Sequence, residues 1–116
     1  MFKIKNPNEL DSDDMFNIEW IKNKVRTDEE SFSRHADRER ENDNLTIEEV
    51  REALLNGMIL EQYEDTGRGA GCLIAGFTNR GKPVHIVCGE REEKLIIITV
   101  YIPSPPKFKN MYERGN

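Results

Sequence analysis

The residues with most capacity for acid–base chemistry in this chain are its two histidines, and each stands in a different pattern. His35 falls within a polar segment, Ser31-Phe32-Ser33-Arg34-His35-Ala36-Asp37-Arg38-Glu39-Arg40-Glu41, with Arg38 three residues on and Glu39 four. In a helix that spacing puts all three on neighbouring positions of one face. A histidine beside a guanidinium suits phosphate chemistry: the imidazole moves a proton while the arginine holds anionic oxygens. A plainer reading competes with it. In a solvated helix Arg34, Arg38, Asp37 and Glu41 simply pair with one another, at little gain in stability.

His85 lies between Val84 and Ile86, so in a strand it faces away from both, on the side that also carries Val87. What it meets across the following hairpin depends on the turn. A three-residue loop pairs Glu90 with Lys94 and sets His85 opposite Thr99, giving a polar patch of His85, Thr99 and Tyr101. A four-residue loop sets His85 opposite Ile98 and leaves it a structural histidine under a helix, because one step of register flips the face.

Metal and phosphate-loop readings are weaker. His85 and Cys88 are three apart and point to opposite faces of a strand, and the short-spaced ligand pairs that zinc requires are missing, so no metal is expected. Cys72 and Cys88 are expected as two buried thiols, near each other across a hairpin. Gly67-Arg68-Gly69-Ala70-Gly71 precedes a strand, whereas a phosphate-cradling loop needs a helix N-terminus there. No cofactor is implied.

The elements that must position these residues are legible from periodicity. Ser12-Asp13-Asp14 can cap a helix over residues 13–27, where Phe16, Trp20, Ile21 and Val25 form one apolar stripe with Trp20 in the core. Ser33 is an N-cap for a short helix of two turns. Thr46 and Glu49 form a capping box, with Leu45 and Val50 as its staple, for a helix over 47–56. Ile47, Val50 and Leu54 share its face, and Gly57 closes it in the left-handed conformation. Strands then follow at 58–64, 72–78, 83–89 and 94–102, with Asn79-Arg80-Gly81 as a three-residue hairpin loop. Pro103, Pro105 and Pro106 end the sheet.

The fold class is therefore α+β: N-terminal helices packed on a curled four-stranded antiparallel sheet. The 116 residues suit a single domain over 13–103, flanked by a flexible arm over 1–12 and a locally basic tail over 104–116 that carries Lys107, Lys109 and Arg114. No stretch approaches the roughly 18 apolar residues of a membrane span. The first residues lack the apolar core of a signal peptide, and with two cysteines a cytoplasmic location is expected. The formal net charge of −5 works against long-range attraction to nucleic acid, so an RNA-binding surface has to come from a local basic patch.

Four segments in order resemble the bacterial and archaeal family called domain of unknown function 4258. They are Phe32-Ser33-Arg34-His35-Ala36-Asp37-Arg38, the run Leu45–Gly57, Lys82-Pro83-Val84-His85-Ile86-Val87, and Thr99-Val100-Tyr101-Ile102-Pro103. That family is similar to the RelE- and BrnT-type toxins, small domains of which several cleave RNA without a metal. The resemblance implies a catalytic set of His35, Arg38, His85 and Tyr101, with Thr99 and Arg34 binding substrate. It further implies phosphodiester cleavage by the ribose 2′-hydroxyl, with Arg38 steadying the charge of the transition state. The implied partners are an antitoxin of zinc-finger or DNA-binding type and RNA, met on the ribosome. Two other classes stay open: a non-catalytic protein-binding module of the same fold, and a small-molecule or nucleotide-binding domain. Convergence of the four catalytic residues on one concavity discriminates the first; a deep apolar pocket elsewhere marks the last.

Overall fold

In the computed structural model, residues 3–4, 16–65, 67 and 69–115 are described. The element order is β1 (Lys3–Ile4), α1 (Ile18–Arg26), β2 (Glu30–Phe32), α2 (Arg34–Asn42), α3 (Ile47–Leu55), β3 (Met58–Glu64), β4 (Gly71–Phe77), β5 (Pro83–Arg91) and β6 (Lys94–Tyr101). The expected helical cap at residues 12–14 lies outside the described residues. Helix α1 starts later than expected, where the Asn17 side chain accepts from the Glu19 N–H. Within the stretch expected as an arm, Lys3–Ile4 pair with β3.

Helices α2 and α3 begin where their caps predict. The Ser33 hydroxyl accepts from the Ala36 N–H, and Thr46 and Glu49 exchange both bonds of the capping box. Ile47 is nevertheless exposed, and the buried α3 face is Val50, Ala53 and Leu54. Gly57 is not a left-handed cap: Asn56 ends the helix with φ −92°, and Gly57 is not among the residues of positive φ. Its value is space, since a Cβ there would lie 2.7 Å from both the Ala53 carbonyl oxygen and an Ile74 methyl.

Strands β3 to β6 form the expected antiparallel meander, but the sheet is wider and mixed, in the order β1-β3-β4-β5-β6-β2. Strand β2 adds to β6 in parallel, with Ser31 opposite Ile96. The expectation of a purely antiparallel four-stranded sheet is corrected here. The chain passes from α1 through β2 directly into α2, and this connection delivers β2 to the free edge of β6 in the same direction. The Asn79-Arg80-Gly81 loop forms as expected, closed by the Thr78 N–H to the Lys82 carbonyl at 2.9 Å with Gly81 at φ +88°.

The two faces of the sheet differ. One is covered by the three helices and holds the main core, including Ile21, Val25, Leu54, Ile74, Ile86, Cys88, Ile97 and Val100. Trp20 packs at the rim of this core, edge-on to Phe16 with ring centroids 6.0 Å apart. The other face holds a smaller cluster of Tyr63, Leu73, Val87 and Phe108, with Leu60, Ile98 and Tyr101 at its border. Phe108 comes from the tail beyond the sheet, which folds back over this face.

Candidate functional site

Neither expected register puts His85 in its place. The hairpin after β5 turns on only two residues, Glu92 and Glu93, at φ +53° and +65°, and Arg91 pairs with Lys94. A bulge beside Val87 and Cys88 then adds one residue to β6, so that Val87 lies opposite Thr99 and His85 opposite Tyr101. His85, Thr99 and Tyr101 do share the face away from the helices.

His85 is fully buried there. Its Nε2 donates to the Met111 carbonyl at 2.6 Å, which leaves Nδ1 to accept from the Tyr101 hydroxyl at 3.1 Å. The Phe108 ring stands edge-on to the imidazole with centroids 4.4 Å apart. Beside it the Arg114 guanidinium grips Glu61 at both oxygens, 2.6 and 2.7 Å, and the Tyr63 hydroxyl donates to Glu61 at 2.7 Å. Burial pushes the Tyr101 phenol up to about 12. Burial alone would raise Glu61, but Arg114 and Tyr63 hold its carboxyl below the usual range. Sequence reasoning missed Glu61, Tyr63, Arg114 and Met111 as companions of His85. The alternation Glu61-x-Tyr63 was the available sign, because both residues sit on one face of β3.

His35 and Arg38 lie elsewhere, on the exposed side of α2. The His35 imidazole is 67% exposed and its Nε2 lies 3.2 Å from Glu39 Oε1. Glu39 is itself anchored, accepting the Val100 N–H at 2.9 Å. Arg34 and Arg38 are exposed and form no ion pair among the described residues. The expected mutual pairing of this helix's charges falls instead to Arg40, which bonds Asp37 at 2.7 Å. Helix α2 stands against the stretch of β6 beyond β2. The Ser33 N–H donates to the Ile97 carbonyl at 2.9 Å and its hydroxyl to the Ile98 carbonyl at 3.0 Å. The four expected catalytic residues therefore do not meet in one shared concavity: His35 and Arg38 are exposed on α2, while His85 is buried under the tail beside the half-buried Tyr101.

Cys72 and Cys88 lie directly opposite each other across β4 and β5, both buried and both free. Burial pushes the Cys72 thiol up to about 12. Among the described residues no group of three or more His, Cys, Asp or Glu side chains could hold a metal ion. Among the same residues no helix is long and apolar enough to cross a membrane.

This arrangement defines an α+β domain with three helices on one face of a mixed sheet. Residues 32–102, more than half the chain, match the family model described as Domain of unknown function (DUF4258), and the chain belongs to that family. No curated protein and no solved structure matches it.

A pH dependence follows from His85. Burial holds its pKa below the ordinary 6.5, outweighing the Met111 carbonyl and Glu61, which favour the charged ring, while Arg114 disfavours it. The unfolded chain therefore binds the proton first as pH falls through 6.5, and the folded state loses stability over that range. The urea midpoint is expected to fall between pH 7.5 and 5.5, by clearly less in His85→Gln. An equal fall in both proteins would assign the effect to other groups.

Proposed function

We propose that the domain is a toxin-like, metal-independent RNase of RelE/BrnT-like form, which cleaves RNA by 2′-hydroxyl attack and is held in check by an antitoxin partner. One observation carries this reading: an exposed His35–Glu39 pair flanked by two guanidinia, Arg34 and Arg38, that are not engaged in ion pairs among the described residues. The Glu39 carboxylate, fixed by the Val100 N–H, orients the imidazole, and Nε2–H donated to it leaves the Nδ1 lone pair to act as base. His35 takes the 2′-hydroxyl proton as that oxygen attacks phosphorus. Arg38, with Arg34 beside it, carries the developing charge, and the 5′-oxygen departs with a proton to leave a 2′,3′-cyclic phosphate. His85 and Tyr101 are the proposed source of that last proton, and Thr99 a substrate contact.

The test is induced expression in a bacterial host, following growth and the integrity of total and messenger RNA. Wild type is expected to arrest growth and cut RNA. Purified His35→Ala and Arg38→Ala proteins are each expected to cut about 10²-fold more slowly while remaining folded. A harmless wild type that leaves RNA intact would sink the reading. The second reading, a non-catalytic protein-binding module of the same fold, then leads. It is favoured by the state of His85, whose two ring nitrogens are both spent on internal hydrogen bonds.

A further inference from the structure

Beyond β6, residues 104–115 bond mostly with themselves. The Phe108 N–H donates to the Ser104 carbonyl, Lys109 to Glu113 and Gly115 to Lys107, while Asn110 Oδ1 accepts from both Tyr112 and Glu113. Among the described residues, no backbone-to-backbone hydrogen bond joins this segment to the sheet. It is seated by four side-chain features. Phe108 and Met111 are its only buried residues, Arg114 clasps Glu61, and Lys107 lies over the Tyr101 ring at 5.5 Å. The fifth tie is the bond from His85 to the Met111 carbonyl. A unit attached in this way can leave without opening the strand ladder, which places its release among low-energy local motions.

What it covers is chemically loaded. Beneath it stand an imidazole, two phenols and a carboxylate on one sheet face: His85, Tyr101, Tyr63 and Glu61. The strap also supplies three cations, Lys107, Lys109 and Arg114, and Arg114 meets Glu61 in the planar two-bond geometry with which guanidinium also meets phosphate. Resting on the ribonuclease reading, we infer that residues 104–115 form an autoinhibitory strap. Seated, it withholds His85 and Tyr101 from substrate. Released, with Arg114 exchanging the Glu61 carboxylate for an RNA phosphate, it opens that face and leaves His85 free to give the departing oxygen its proton.

Carbethoxylation of histidine by diethyl pyrocarbonate reads the strap directly, because exposed His35 is an internal reference in the same chain. In wild type His85 is expected to react at least about tenfold more slowly than His35, the behaviour of a group reached only by local opening. Arg114→Ala and Phe108→Ala, each confirmed as folded by cooperative urea unfolding, are expected to speed His85 about tenfold and leave His35 unchanged. Equal labelling of the two histidines in wild type overturns the strap, as does full protection of His85 in both variants. Cleavage of a short single-stranded RNA then separates the two ideas. Faster cutting by Phe108→Ala, which keeps Arg114 for the phosphate, supports gating. Unmasked His85 in Phe108→Ala with no gain over an active wild type overturns it. If no protein cuts RNA while His85 becomes unmasked, the ribonuclease reading fails and the labelling alone sustains the strap as a removable cover.

Discussion

Arg51→Met is expected to destabilise the domain by about 3 kcal/mol, the scale set by leaving a buried charge without its partner. Arg51 projects from α3 and ties three other pieces of chain together. Its guanidinium donates to the Val25 carbonyl at 2.9 Å, pairs with Asp28 at 2.9 Å, and bonds Glu30 of β2. The Glu30 side chain is only 6% exposed, and among the described residues its Oε2 has no hydrogen-bond partner even with Arg51 in place. Methionine fills much of the arginine's volume and restores none of this, so the buried Glu30 carboxylate loses both its counter-charge and its donor. The same reasoning predicts partial rescue in Arg51→Met/Glu30→Leu, where the orphaned charge is removed as well. Urea unfolding of the single and double variants checks both. A single variant within 0.5 kcal/mol of wild type, roughly the range of ordinary surface substitutions, would mean that water reaches Glu30.

Gly76→Ala should cost a similar amount, about 3 kcal/mol, through crowding rather than charge. Gly76 is where β4 comes closest to α3. A Cβ there would overlap the Ala53 carbonyl oxygen, with the carbonyl carbon at 2.7 Å and the Gly57 Cα at 3.1 Å. Every one of these neighbours is backbone, so no side chain can swing aside and the helix itself must shift. That shift reaches Val50, Ala53 and Leu54, which anchor α3 in the main core. Thermal unfolding is the measurement. A midpoint unchanged within a degree or two would show that α3 can move away from the sheet at little cost.

What could be read in the sequence were the features governed by near neighbours in the chain. The Thr46–Glu49 box and the Ser33 cap are satisfied within one helical turn, and strand β3 begins and ends where its pattern predicts, Met58–Glu64. What escaped depended on distant pairing. Strand β2 is only Glu-Ser-Phe, too short to show alternation, and exists because β6 offers it an edge. The Glu92-Glu93 turn places two glutamates at positive φ, where asparagine or glycine would have announced a two-residue hairpin. The packing of Phe108 on His85 had no local sign at all: a lone aromatic in a proline- and lysine-rich stretch looks like a tail. His35 and Arg38 were legible as helix neighbours, whereas the burial of His85 rests on residues far along the chain, such as Met111, 26 positions away.

The extra residue in β6 has a consequence for how this chain can change over generations. Side chains along a strand alternate like odd and even numbers, and the bulge resets the count once, between the hairpin and the site. Losing a single codon at Ile98 would erase the bulge and restore plain alternation, with Val100 still toward the helices and Tyr101 still opposite His85. Gaining one between Thr99 and Tyr101 would instead send Tyr101 toward the helices, exchanging polar and apolar across the sheet at one stroke. The bulge is thus the spare letter in a strand whose spelling is otherwise kept to the count.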